Sequence, residues 1–162
     1  MNKLSILENK IATIEDVKKK INIWHLKGEK VVFTNGCFDI LHPGHIVILT
    51  AAANYGNRLI VAINSDTSVK RLKGDSRPIN NEESRSMLLA AMQFVDAVCI
   101  FEDDTPLQII KELGPDVLVK GGDYTIDTIV GAKETIAKGG EVVVIPTLEG
   151  YSTSNIIEII KN

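Results

Sequence analysis

Two of the chain's three histidines, His42 and His45, stand three positions apart around Pro43 and Gly44, directly after a short apolar run, in the segment TNGCFDILHPGH at residues 34–45. The chemistry this spacing suggests is anion binding. Asn35 and Gly36 are expected to turn the chain sharply out of a strand, and Gly44 to permit close backbone approach where the helix HIVILTAAANYG begins. A helix start presents unpaired amides and the positive end of the helix dipole, which together favour phosphate. One histidine on the approach and one in the first turn can both donate hydrogen bonds to such an anion. A plainer reading has one histidine capping the helix and the other packing. Zinc is disfavoured, since His25 and Cys37 add no recognisable ligand spacing, and no metal-ligating residues are assigned. Neither G-x-x-x-x-G-K-[ST] nor G-x-G-x-x-G occurs.

A second anion site is suggested by Ser152, Thr153 and Ser154, hydroxyl residues at the start of the last helical segment. Their plainer role is an ordinary N-cap. Among cations, Lys120 stands out because VLVKGGDY sets it at the carboxyl end of a strand beside two glycines, Gly121 and Gly122. Lys73, Arg77 and Arg85 lie on or just after another loop. Asp39 suits either a ligand hydroxyl or a capped turn, and Asp123 either a nucleotide ribose or solvent. Cys37 reads as packed rather than reactive, and Trp24 as core.

These residues need a scaffold. Short β-rich apolar runs recur at 31–34, 59–63, 97–101, 117–120 and 142–145 and read as buried strands. Helical segments separate them. Thr105, Pro106 and Gly114 suit the cap, first turn and stop of one, and Asn81 the cap of another over 80–95. Ile14, Val17 and Ile21 share a stripe on what reads as one further helix before residue 30. Strand alternating with helix predicts parallel pairing through right-handed crossovers, with helices on both faces. The expected fold is an α/β doubly wound, Rossmann-like open sheet of five parallel strands in the order 3-2-1-4-5. Residues 1–162 form a single domain on this reading, with 1–29 a helical extension packed on it. Ligands of such sheets bind beyond the carboxyl ends of the strands. That rule points to TNGCFDILHPGH, NSDTSVKRLKGDSRPIN, KGGDY and PTLEGYSTSN, all four of them loops on this reading.

Composition narrows the function class. The chain has 162 residues, 18 basic against 21 acidic, a net charge of −3 and 44% hydrophobic residues, values ordinary for one globular domain and without the basic excess typical of nucleic-acid binders. Cys37 and Cys99 form neither a C-x-x-C pair nor a disulfide framework, which favours a reducing interior. MNKLSILENK lacks an apolar leader core, and no apolar run reaches 18 residues. The expectation is a cytoplasmic protein with neither nucleic acid nor membrane as partner.

NGCFDILHPGH closely resembles the signature of the nucleotidylyltransferase superfamily with an H-x-G-H motif, and STSNII at 152–157 resembles that superfamily's second motif. With INSDTSVKRLKGDSRPIN, DDTPLQIIKELGPDVLVKGGDY, IVGAKE and GGEVVVIPTLEGYSTSNII, the chain is similar to the D-glycero-β-D-manno-heptose 1-phosphate adenylyltransferases over roughly residues 10–160. The resemblance implies transfer of the adenylyl group of ATP to a heptose 1-phosphate, giving ADP-heptose, a lipopolysaccharide precursor, and pyrophosphate. It also implies a bacterial source, Mg²⁺ travelling with ATP, a homodimer, and a form free of the sugar kinase to which the domain is often fused.

Attack by an already ionised phosphate needs alignment and charge neutralisation rather than a protein nucleophile. His45, His42 and Lys120 are therefore the catalytic candidates. The nucleotide-binding candidates are Thr34, Asn35, Gly36, Cys37, Phe38 through its amide, His42, Gly44, His45, Lys120, Gly121, Asp123, Tyr151, Ser152, Thr153 and Ser154. Asp39, Lys73, Arg77 and Arg85 are the acceptor-side candidates, Arg85 because it matches the superfamily's arginine early in the helix after the second strand. Two alternatives stay open. A glycerol 3-phosphate-type cytidylyltransferase would commonly carry an arginine shortly before the second motif, which PTLEGYSTS lacks; a nucleotide-binding module without turnover would keep the pocket alone.

Overall fold

A computed structural model describes residues 2–161. The expected domain limits include Met1 and Asn162, which lie outside the described residues. Five strands, β1 (Val31–Gly36), β2 (Arg58–Asn64), β3 (Ala97–Phe101), β4 (Val117–Gly121) and β5 (Glu141–Ile145), form one sheet in the order β3-β2-β1-β4-β5. Every pairing is parallel. The expected strands and their order are those observed.

Alternation along the strands builds two cores, because successive side chains face opposite sides of a sheet. Val31, Phe33, Ile60, Ala62, Ala97, Cys99, Phe101 and Leu118 point to one face. There α2 (Ile14–Leu26), α6 (Leu107–Leu113) and α7 (Ala132–Ala137) cover them with Val17, Ile21, Ile109, Ile110, Leu113 and Ala132. Val32, Leu59, Val61, Ile63, Val98, Val117 and Val119 point the other way, against Leu49 and Ala52 of α3 (Pro43–Ala53) and Leu89 and Ala90 of α5 (Glu82–Ala90). Trp24 packs on the first core, as expected.

Several details differ from the sequence reading, among them the end of α5 at Ala90, short of the expected residue 95. The region before residue 30 holds two helices, α1 (Lys3–Glu8) and α2. Thr13 caps α2 through its hydroxyl, and the chain just before it runs extended beside the edge strand β3, where Ala12 N–H donates to Val98 O and Val98 N–H to Lys10 O. That short segment covers a sheet edge, which a continuous helix would leave open. Second, the loop after β2 contains α4 (Asp66–Lys73), capped by the Ser65 hydroxyl, which accepts from Ser68 N–H. Third, Pro106 rather than Thr105 occupies the cap position of α6, although Gly114 ends that helix in a left-handed conformation as expected. Fourth, Asn35 and Gly36 do not turn the chain out of the sheet. They stay paired with Ala62 and Ile63, so the turn comes at Cys37 and Phe38. Asn81 caps α5, as its sequence suggests.

Candidate active site

A cavity of about 330 Å³ opens at the carboxyl ends of β1, β4 and β5. It collects Thr34, Asn35, Gly36, Cys37, Phe38, His42, Gly44, His45, Lys120, Gly121, Tyr151, Ser152 and Thr153, all sequence candidates. Ile48, Tyr124, Thr147 and Leu148 also line it. Tyr124, Thr147 and Leu148 lie in loops that the strand-end rule marks; Ile48 is one apolar residue among many in α3, with nothing in the sequence to single it out. Among the described residues no carboxylate lines this cavity, and Lys120 is the one formal cation that does. Such a lining suits an anion.

The histidines are placed by their helix. His42 holds the N-cap position of α3 in extended conformation but makes no side-chain cap bond, and Pro43 occupies the first turn, where its missing N–H costs nothing. Their rings stack, with centroids 3.8 Å apart and planes inclined by 25°. Gly44 makes this possible, since a Cβ there would lie 3.0 Å from the His42 ring and 3.3 Å from Tyr151 Cβ. The reading in which one histidine caps and the other only packs does not describe this site, because Nδ1 of both His42 and His45 is buried without a hydrogen-bond partner. Two buried orphaned nitrogens on adjacent rings fit a ligand that supplies the missing partners.

Burial first, and the adjoining His42 second, push the His45 imidazole down to about 4, while burial lowers His42. Two positive rings 3.8 Å apart would repel by about 4 kcal/mol at an effective dielectric constant of about 20, so double protonation of the pair is disfavoured without an anion. Phosphate reverses that balance by favouring the charged form. A nucleoside triphosphate is therefore expected to bind with proton uptake, more strongly as pH falls from 8 towards 6.5. Calorimetry in two buffers of different ionisation enthalpy should show fewer protons taken up by His45→Ala than by the native chain; equal uptake would place the protons elsewhere.

Lys120 stands one residue before the end of β4, partly buried, its Nζ 3.4 Å from Asn35 O and 3.5 Å from Asn35 Oδ1. It has no carboxylate partner among the described residues. Burial lowers its affinity for the proton. Tyr124 lies over it, 5.9 Å from Nζ to the ring centroid, and folds there because Gly122 has neither a Cβ nor a negative φ (φ +133°). Gly121 likewise allows Ile48 of α3 to close on the end of β4.

Opposite the histidines, Ser152 caps α8 (Thr153–Lys161), its hydroxyl accepting from Asn155 N–H at 3.0 Å. The ordinary N-cap role is thus real, and the same hydroxyl retains its own proton to donate into the cavity. Thr153 Oγ1 reaches back to Ile40 O at 3.4 Å, tying this helix start to the histidine loop. Ser154 and Asp123 are exposed and line no part of the cavity.

The acceptor-side candidates do not converge on the cavity. Asp39 is 2% exposed and spends its carboxylate on the N–H groups of Ile79 and Asn80 and on Arg77 Nε at 2.6 Å. Burial pushes its carboxyl up, but the Asn80 and Ile79 amides and Arg77 outweigh that and hold it below the usual range. Asp39 and Arg77 therefore pair with each other. Lys73 is exposed at the end of α4. Arg85 is 0% exposed, with all three nitrogens hydrogen-bonded inside the protein. A guanidinium so enclosed cannot touch an acceptor without leaving its site, and two of its partners, Cys37 and Asp66, lie 48 and 19 positions away in the chain, beyond the reach of any local pattern. Cys37 is half-buried and burial raises its thiol, consistent with packing.

Comparison with known proteins gives the chain's family and fold relatives. Over 144 residues the chain is 57% identical to the Bifunctional protein HldE of Marinomonas sp. (strain MWYL1), covering 89% of this chain and 30% of that protein. It is 51% identical over 152 residues to the protein of the same name from Nitrobacter winogradskyi, covering 93% of this chain and 31% of the relative. The chain thus spans about a third of the length of these relatives. Among solved structures, a lipopolysaccharide core biosynthesis protein from Thermoplasma volcanium superposes with a TM-score of 0.60 at 28% identity, covering 77% of this chain and all of the other. A pantoate-beta-alanine ligase from Francisella tularensis, complexed with a nucleotide and beta-alanine, shares the fold with a TM-score of 0.60 at 16% identity, over 93% of this chain and 76% of that one. The cytidylyltransferase-like family matches residues 33–159, a span that runs from β1 into α8 and takes in both the histidine loop and the Ser152 helix start, so the chain belongs to that family.

Proposed function

We propose that the chain is a nucleotidyltransferase that moves the adenylyl group of ATP onto a heptose 1-phosphate, releasing pyrophosphate and leaving ADP-heptose. One observation carries the reading: two stacked histidines with orphaned nitrogens, a lysine without a carboxylate partner and a hydroxyl-bearing helix start face one cavity that, among the described residues, no carboxylate lines. This lining matches the needs of phosphate attacking phosphate, where alignment and charge neutralisation do the catalysis. His45 donates to the α-phosphate, His42 shares the same phosphates, and Lys120 neutralises charge as the α-phosphorus becomes crowded. The Ser152 and Thr153 helix start holds the β- and γ-phosphates.

Mg²⁺ enters with the nucleotide. Among the described residues the cavity is lined by neutral and cationic groups and no carboxylate, a donor set that fits an ion held by phosphate oxygens and water. When bound, the ion spreads the charge of the leaving pyrophosphate. The heptose acceptor rests on the resemblance and on similarity to a lipopolysaccharide core biosynthesis protein. The homodimer and the cytoplasmic location belong to the same proposal.

The test is a screen of nucleoside triphosphates against sugar and polyol phosphates that follows pyrophosphate release. ATP with a heptose 1-phosphate is expected to exceed CTP by at least about tenfold in kcat/KM, roughly 1.4 kcal/mol of differential transition-state binding. A site that hydrogen-bonds one base edge strands buried polar groups when offered another. Equal or better turnover with CTP and glycerol 3-phosphate would overturn the adenylyl assignment and leave the phosphate site standing.

A further inference from the structure

The Arg85 side chain is the largest among those fully buried, and it carries a formal charge. Its Nη1 donates to Cys37 O at 2.6 Å, its Nε to Asn80 O at 3.0 Å and its Nη2 to Asp66 Oδ1 at 2.8 Å. Enclosing a guanidinium in this way is costly unless every donor direction is used, and here three separate segments use it. The shortest of the three bonds reaches the backbone of the cavity loop itself.

That contact lies at the turn of the loop. Phe38, the next residue, has φ +48°, a left-handed conformation that is strained for a bulky side chain. Such strain persists only where the surroundings hold it, and the surroundings here are specific. Arg85 holds the Cys37 carbonyl, Asn80 Nδ2 donates to Asp39 O at 2.6 Å, and the Asp39 carboxylate is gripped by Ile79, Asn80 and Arg77. In a trans peptide the carbonyl and the following N–H point in opposite directions. With its carbonyl drawn towards buried Arg85, the Cys37–Phe38 peptide turns its N–H away from the arginine. The Phe38 N–H makes no hydrogen bond among the described residues, and both Cys37 and Phe38 line the cavity. The Phe38 ring meanwhile lies 5.2 Å from the His45 ring, possible because Gly36 has no Cβ to meet it.

We infer that Arg85 is a positioning residue: by holding the Cys37 carbonyl from the buried side, it aims the Phe38 N–H into the cavity as a hydrogen-bond donor to phosphate. This rests on the proposed nucleotidyl transfer and assigns Arg85 to the nucleotide side of the site, with no contact to the acceptor. A lysine in its place keeps the charge but cannot reach the Cys37, Asn80 and Asp66 oxygens together in one planar fork.

The test compares Arg85→Lys and Asn80→Ala with the native chain. Asn80→Ala loosens the same turn from its other side and leaves the buried charge in place. Each is followed by circular dichroism and thermal unfolding, by ATP affinity in calorimetry, and by steady-state kinetics with the best acceptor from the screen. For Arg85→Lys, kcat is expected to fall about 10- to 100-fold, below the 10²–10³ for outright loss of a transition-state donor because the amide is misaimed rather than removed. The acceptor KM should stay within twofold and ATP affinity should fall several-fold. Asn80→Ala should show the same pattern at smaller amplitude.

A rise in acceptor KM with kcat held would place Arg85 on the acceptor and overturn the inference. Lower stability in both variants, with native kcat and ATP affinity in the folded protein, would reduce Arg85 to a structural tie and overturn it equally. Should Arg85→Lys fail to fold, native kinetics in Asn80→Ala would decide against the inference and a kcat loss would support it. If no acceptor turns over with the native chain, the functional proposal fails separately, and the ATP affinities still decide whether Arg85 shapes the phosphate site.

Discussion

His45→Ala is expected to leave the fold intact and lower kcat by about 10²- to 10³-fold, the scale seen when one preorganised transition-state donor is lost. His45 stands in the first turn of α3 with its ring held between those of His42 and Phe38 and with Nδ1 lacking a partner. The ring is thus positioned before any ligand arrives, and no reorganisation is needed when charge develops on the α-phosphate. Activity within about a factor of two of native would place His45 outside the chemistry. His42→Ala should cost less if His42 chiefly binds phosphate in the ground state, raising KM more than it lowers kcat. Stability supplies a second readout. The folded His45 is depressed to about 4 against an ordinary value near 6.5, so the unfolded chain binds more protons over that interval. The contribution is fully present above pH 6.5 and is lost as pH falls through about 4. Denaturant unfolding of His45→Ala should show a shallower loss of stability over this window than the native chain.

What was legible in the sequence, and what was not, follows from how local each cause is. The five strands announce themselves because a buried parallel strand needs an uninterrupted apolar run, and VVF, LIVAI and AVCIF have no other plausible use. His42, Gly44 and His45 were visible because a helix start fixes its neighbours within a few residues. The break between α1 and α2 was not, since it depends on Lys10, Ile11 and Ala12 meeting Val98 some ninety positions away in sequence. Arg85 shows the limit most clearly. Its family position suggests contact with substrate, whereas its partners are Cys37 in the loop after β1, Asp66 at the start of α4 and Asn80 just before α5, which only the folded sheet brings together. Asp39 suits either a ligand hydroxyl or a capped turn by sequence and Arg77 an acceptor contact, and in the fold the two side chains pair with each other.

Lys120→Met is expected to lower kcat/KM by about 10²-fold while raising thermal stability in the absence of nucleotide, a combination that an ordinary surface lysine would not give. The activity loss follows from position, because Lys120 is the formal cation lining the cavity among the described residues and its contacts to Asn35, at 3.4 and 3.5 Å, are too long to satisfy it. The stability gain follows from burial, which disfavours the charged amine with no carboxylate beside it. Methionine keeps much of the length and flexibility without the charge, so the desolvation cost disappears and the packing under Tyr124 remains. The sign with pH is fixed by the lowered folded value. Between that value and the ordinary 10.5 the unfolded chain binds more protons, so the native protein gains stability from this group as pH rises through the window. Its penalty is therefore greatest at the acid end of that window. The stability difference between Lys120→Met and the native chain should narrow as pH is raised towards 10.5. Saturating ATP should reverse the ranking at neutral pH, because the ligand stabilises whichever protein binds it more tightly. A Lys120→Met protein with native kcat/KM, or one less stable than the native chain without nucleotide, would show that the ammonium is solvated at the rim and not held for phosphate.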